Sequence, residues 1–235
     1  MKRISLALCF IMSGLLLAAC SSQSEPFTEK SYTPDTEIRE INLDVQDRAI
    51  EVSLSGDEQI HIQYSENSKE YYHISVSDEQ VLTMESASNK EWKDYIGGKA
   101  SAEDRTIVLQ IPDALLDSFT LSTTNEDISL PALAVTGSIS ISSNGGNISF
   151  ENLDVGSALT LAVKNGNISG AIAGSYDDFA IQSEIKKGES NLPGNKEEGE
   201  KTLNVSANNG DIDITFQNER HMAPTAGNGD PKGTH

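Results

Sequence analysis

Beyond position 20 the chain contains no cysteine, since its only two, Cys9 and Cys20, fall in the first twenty of 235 residues. That excludes disulfides, thiolate metal clusters and a cysteine nucleophile from the remainder, which must hold together by its core alone. Basic charge is also scarce. Lys and Arg number 17 against 36 Asp and Glu, a formal charge of −19. Such a balance repels nucleic acid and anionic polymers, and it favours solubility, cationic partners or a cloud of divalent ions. No convincing amphipathic helix is present, and no apolar run reaches the roughly 18 to 20 residues a membrane span requires.

The longest apolar stretch, Ile4 to Leu17, follows Lys2 and Arg3 and runs into Leu17-Ala18-Ala19-Cys20. A basic start, a short apolar centre and small residues at the end make an export signal. The Leu-Ala-Ala-Cys box resembles the lipobox of bacterial lipoproteins. That resemblance implies removal of residues 1–19 and a diacylglyceryl group on the Cys20 sulfur. Lipid chains of that kind hold a protein stably on a bilayer. The expected location is extracytoplasmic and lipid-anchored, at the cell membrane or, in a cell with two membranes, the outer one. Loss of Lys2 and Arg3 leaves the mature part more negative still. Residues 20–37 lack apolar periodicity and read as a flexible tether. Residues 217–235 contain Pro224, Gly227, Gly229, Pro231 and Gly233 and read as a disordered tail.

Between them lies an all-β domain, residues 38–216. Period-two segments such as Ile41-Leu43-Val45, Ile50-Val52-Leu54, Ile60-Ile62-Tyr64, Tyr72-Ile74-Val76 and Ile107-Leu109-Ile111 place one strand face on a core. Residues 87–104 are polar apart from Trp92, Tyr95 and Ile96 and read as a loop or covering flap; Trp92 and Tyr95, near Gly97-Gly98, read as a cap over the open end of the solenoid, the alternative being a small sugar- or protein-binding aromatic site. From residue 119 onward a repeat appears. Phe119, Ile139, Leu159 and Phe179 recur every 20 residues; Ile128, Ile148, Ile168, Leu192 and Ile212 advance by 20, 20, 24 and 20. Several positions repeating at one step predict a β-solenoid, a β-helix-like stack with rungs of about 20 residues and one buried apolar column. Before each apolar residue of the second series stands Asp127, Asn147, Asn167, Asn191 or Asp211, often beside glycine. Gly, Asn and Asp turn a chain tightly, and the five side chains are expected to stack as a hydrogen-bonded corner ladder.

The Asn-Gly-Asn-Ile and Asn-Gly-Asp-Ile corners beside Ile-Ser-Ile-Ser strands resemble the bacterial putative-adhesin family of unknown function. That resemblance spans about residues 38–216 and implies a membrane-anchored surface β-solenoid. It carries over no functional residue. Asp127, Asp211 and Asp213 are catalytic candidates in name only, because the first two sit where Asn stands in other rungs. The nine-residue Gly-Gly-x-Gly-x-Asp spacing of calcium rolls is missing. His61 and His73 sit between apolar neighbours, facing solvent or a loop, without a third ligand at metal spacing. Asn147-Ile148-Ser149 and Asn167-Ile168-Ser169 match the glycosylation pattern but fit corner geometry better. The expectation is therefore a noncovalent binding or structural module, suited to surface adhesion or to envelope-stress sensing, not an enzyme and without cofactor or metal. Its partners would be the membrane, through the lipid anchor, and an envelope protein or glycan. The alternative is an envelope polysaccharide hydrolase or lyase, which a groove holding both acidic and basic side chains would favour.

Overall fold

The computed structural model describes residues 25–95, 99–112 and 116–217. The expected signal peptide with Cys20, and all of the expected tail beyond Gln217, lie outside those residues. No helix among the described residues is long and apolar enough to cross a membrane. The strands in chain order are β1 (Thr28–Tyr32), β2 (Glu40–Asp44), β3 (Ala49–Leu54), β4 (His61–Glu66), β5 (Glu70–Val76) and β6 (Val81–Ser88). There follow β7 (Thr106–Ile111), β8 (Leu116–Thr123), β9 (Ile128–Leu130), β10 (Leu133–Ser143), β11 (Ile148–Val155) and β12 (Ala158–Asn165). The last are β13 (Ile168–Ala173), β14 (Phe179–Lys187), β15 (Asn195–Lys196), β16 (Lys201–Asn209) and β17 (Ile212–Gln217). All belong to one strongly curled, hydrogen-bonded sheet.

The molecule is all-β and β-solenoid-like, built from stacked parallel rungs. β10 and β11 trace one rung. Leu133–Val135 pairs with Leu153–Val155 on a short side, and Ser138–Ser143 pairs with β12 in a first column. The chain then turns a corner at residues 144–147 into Ile148–Phe150, which lies between β9 and β13 in a second column. Alternation puts every second side chain inside. One buried row of the first column runs Leu82, Ile41, Phe119, Ile139, Leu159, Leu203 and Ile181. A row of the second column runs Ile107, Ile50, Ile128, Ile148, Ile168 and Ile212. Each fully buried side chain of this size contributes on the order of 1.5 to 3 kcal/mol before chain entropy is subtracted.

Those rows correct the expected order of the rungs. In the first column the layers run β6, β2, β8, β10, β12, β16, β14, so neither end follows the sequence. β14 leaves one layer vacant, and the chain returns to fill it with β16, paired in parallel with β12 and β14. At the opposite end β2 lies between β6 and β8, and β3 between β7 and β9. Leu203, not Phe179, therefore stacks on Leu159, and Ile212, not Leu192, stacks on Ile168. The physical gain is that β2, β3 and β16, in the first and last rungs of the chain, have both edges paired instead of fraying as open edges.

The corner follows the same corrected order. Asp127 Oδ1 accepts from the Asn147 N–H at 2.7 Å, Asn147 Oδ1 from the Asn167 N–H at 2.9 Å, and Asn167 Oδ1 from the Asp211 N–H at 2.8 Å. Asp211 Oδ1 then accepts from the Glu189 N–H at 2.9 Å. Beside this series runs a column of glycines. A Cβ on Gly166 would strike the carbonyl of Gly146, one on Gly210 that of Gly166, and one on Gly188 that of Gly210. Gly188 and Gly210 also have φ of +129° and +140°, which side chains rarely adopt. Just inside the corner, the buried Thr123 and Ser143 hydroxyls donate to the carbonyls of Arg48 and Glu126.

Asn191 is absent from this series, contrary to expectation, because Lys187-Gly188-Glu189 is the true corner of its rung. It has a different task. Its Nδ2 donates to the Ile214 carbonyl at 2.8 Å while its Oδ1 accepts from the Ile214 N–H at 3.0 Å. One carboxamide thus supplies the donor and acceptor of a missing strand and closes the outer edge of β17. At the other end, antiparallel strands cover the stack: β5 on β6, β4 on β7, and β1 on β4. The expected tether is thus ordered in part. Thr28–Tyr32 forms β1, Tyr32 packs on the core and Pro34 is buried.

Two outcomes follow from this layering. In native-state hydrogen exchange, segments covering β2 and β16 should be as protected as β10 and β12, and more than the one-edge strands β1 and β5; β16 exchanging before β14 would contradict the layer order. In urea unfolding, Asn167→Ala frees an exposed N–H that water can reach and should cost about 0.5–1.5 kcal/mol. Asn191→Ala strands two part-buried backbone groups and should cost more, about 1–3 kcal/mol. The reverse ranking of midpoints would show that Asn191 does not close the edge.

Candidate functional site

The outward residues of the first column form a regular panel, with a shallow hollow of about 200 Å³ among Thr160, Gln182, Glu184, Asn204 and Ser206. The panel's middle row is Thr83, Asn42, Thr120, Ser140, Thr160, Asn204 and Gln182. The row beside it is Glu85, Asp44, Ser122, Ser142, Ala162, Ser206 and Glu184, and the third begins Val81, Glu40, Ser118 and Ser138 before Ala158, Thr202 and Ala180. Across β8, β10, β12 and β16 these rows hold no charged and no aromatic side chain. Acids appear only toward the ends, as Glu40, Asp44 and Glu85 on one and Glu184 on the other. Rungs stacked about 4.8 Å apart set the short hydroxyls at that spacing along the panel. On a chain of formal charge −19, this is an extended neutral surface, suited to many weak hydrogen bonds and free of charge repulsion.

A second concavity, of about 600 Å³, lies between β1, β4, β3 and the segment before β7. Glu29, Glu51, Glu103 and Asp104 line it with Phe27, Tyr64 and Val108. Its carboxylates are exposed or half-buried, and no lysine, arginine or histidine lines it. The mixed acidic and basic groove that would favour a polysaccharide-cleaving enzyme is therefore not formed there. Among the described residues no group of three or more His, Cys, Asp or Glu is placed to hold a metal ion. Asp127 and Asp211 are spent on the corner, and Asp213 on the Asn191 amide.

The covered end of the stack holds the one buried cation among the described residues. Arg48 is 3% exposed, and a guanidinium so buried must be paired. Its Nε donates to the Tyr72 hydroxyl at 2.6 Å, Nη2 to Glu70 at 2.9 Å and Nη1 to the Asp47 carbonyl, while Phe27 packs against its face. Burial alone would raise the Glu70 carboxyl, but hydrogen bonds from Lys90 and Arg48 outweigh it and lower it. The Asn125 amide, with Thr124, likewise holds the Asp47 carboxyl below its ordinary range against desolvation.

His61 is half-buried between Thr33 Oγ1 at 2.8 Å and the Asp57 carboxylate at 3.0 Å, and it holds that carboxyl below its usual range. Hydroxyl, imidazole and carboxylate thus line up, but none of the three lines the concavity. The contact ties the chain after β1 to the loop after β3. His73 is exposed, edge-on to Tyr71. Residues 87–104 do not cap the core with their aromatics, since Trp92 is 77% and Tyr95 69% exposed. Sequence alternation marked the inward rows of the panel; its seven-strand extent depends on the layer order and was not visible in the repeat.

No curated protein is detectably similar in sequence. Among solved structures, a "putative cell adhesion protein" from Clostridium sporogenes shares 12% identity with a TM-score of 0.52, covering 81% of this chain and all of its own. A "putative adhesin" from Bacteroides fragilis shares 14% identity with a TM-score of 0.37, covering 83% of this chain and 98% of its own. At these identities the first likeness speaks for the fold alone. A family model matches residues 38–175, from β2 to just before β14. The chain belongs to the Toastrack DUF4097 family.

Proposed function

We propose that the chain is a lipoprotein of the cell envelope, held outside the membrane by lipid on Cys20, and that it acts as a noncovalent binding module. The observation that carries the binding half is the neutral Ser/Thr/Asn panel. A solvating surface on so acidic a chain would be expected to scatter carboxylates over every face. Here the acids of the three panel rows are kept to their end strands, leaving the centre of those rows free to lie against a protein or glycan surface. The anchoring half rests on Leu17-Ala18-Ala19-Cys20 and on the short basic-then-apolar segment before it.

Thr160→Arg places a long cation in the middle of the panel on an outward position, so the fold should persist. Co-sedimentation of the protein with isolated envelope fractions should fall sharply for Thr160→Arg and remain near the parent level for Ser149→Arg in the second column. Equal binding by both variants would remove the panel from the reading. For the anchor, Cys20→Ala should abolish incorporation of a fatty-acid probe and leave the signal uncleaved; undiminished labelling would refute it.

A further inference from the structure

The described chain begins already docked. The Glu25 carbonyl accepts from Asn67 Nδ2 at 3.0 Å, and its carboxylate accepts from Ser68 Oγ at 2.5 Å and from the Ser68 N–H at 3.4 Å. Phe27 packs against Arg48. Five residue steps separate Glu25 from Cys20, which at full extension span about 17 Å. A lipid on Cys20 therefore holds this end of the stack close to the bilayer.

The same turn holds residues 88–95. The Asn89 N–H and the Ser88 hydroxyl donate to the Lys69 carbonyl, and Asn89 Nδ2 to that of Ser68. Lys69 Nζ meets Asp94 at 3.2 Å and Lys90 Nζ lies over the Tyr95 ring at 5.5 Å. In the short 3-10 turn Trp92–Tyr95, the indole and the phenol ring are two of the largest exposed apolar groups among the described residues. The charges around them balance without all being paired: Lys69 meets Asp94 and Lys93 meets Glu91, Glu70 is shared by Lys90 and Arg48, and the Glu25 carboxylate on Ser68 supplies the fourth negative charge. On an acidic chain this is an electrically quiet patch carrying two amphipathic rings.

We propose that Trp92 and Tyr95 are a second membrane contact, seating in the headgroup layer of the bilayer that carries the lipid anchor. The inference rests on the Cys20 reading. It commits to lipid because the chain reach brings a bilayer to this end, and because tryptophan and tyrosine, apolar in body and polar at the tip, prefer that layer. Balanced local charges make the contact independent of anionic lipid. It also accounts for aromatics standing in the open on residues expected to fold over the core.

Trp92 is the only tryptophan in the chain, so its emission reports on this patch alone. The full lipidated protein is reconstituted into phosphatidylcholine vesicles, with and without bromine on the acyl chains, and vesicle flotation is scored in the same sample. The proposal expects flotation together with a blue shift and a loss of Trp92 emission in brominated vesicles. Flotation with unshifted emission, unquenched by bromine and fully open to acrylamide, overturns the aromatic contact and leaves the anchor standing. Failure to float overturns the anchor and this inference with it. Trp92→Phe/Tyr95→Ala should still float, but residues 88–105 should be cleaved faster by added protease; an unchanged cleavage rate also counts against the contact.

Discussion

The constraint on which the rest depends is the parallel hydrogen-bonded spacing between rungs. At about 4.8 Å per layer, whatever occupies a position in one rung lies directly against its counterpart in the next. A corner that must pass under another corner has room for no Cβ, which produces the column Gly146, Gly166, Gly210 and Gly188. An N–H facing the next layer needs an acceptor at one height, which Asp or Asn supplies with a short side chain and Glu does not. Glu189 stands in that place only in the last layer, where its N–H is a donor and nothing follows for its side chain to accept.

A stack of this kind has two ends, and each end is an exposed edge able to recruit another chain. The solution here is uneven. One end is covered by antiparallel strands locked around the buried Arg48, and the other relies on the two-residue β15 and the single Asn191 carboxamide. Both ends also place a chain-terminal rung one layer inward. β2 pairs with β8, Glu40 opposite Ser118, across a long intervening segment. Contacts of such separation must wait for loop closure, so interior placement of the first and last rungs costs folding speed while protecting them from fraying.

Much of the fold was legible because a 20-residue step can arise in few ways. Ile128, Ile148 and Ile168, with Asp127, Asn147 and Asn167, align without a gap and lie where their spacing put them. The step from 168 to 192 misled, because spacing along a chain carries no information on whether a strand fills the next layer or the one beyond. The glycines held the correction: Gly146, Gly166, Gly188 and Gly210 advance by 20, 22 and 22, placing the corner two residues before Asn191. The ordered N-terminal strand was missed for another reason. Thr28–Tyr32 is an exposed, polar edge strand whose partner, β4, supplies the apolar side, so its own alternation is faint. Trp92 and Tyr95 read either as a cap over the open end or as a small aromatic binding site; at 77% and 69% exposure they are no cap, and whatever covers them is an alternative to the core.

If a bilayer is that alternative, the orientation of the whole stack is set. The strands run across the stack axis, and the docked Glu25, the turn at 67–69 and the aromatic patch all lie at the β5–β6 end. The axis then points away from the membrane, and the panel becomes an upright wall. Its acids nearest the lipid, Glu40, Asp44 and Glu85, would be repelled by an anionic headgroup layer, which keeps the wall from lying flat. The neutral rows of β8, β10, β12 and β16 come next, within about 30 Å of the surface at the layer spacing. On that reading a partner reaching them would be membrane-proximal. Anchor, aromatic patch and acidic rim would together restrict the panel to what lies close along the membrane face, before any particular hydroxyl discriminated among partners.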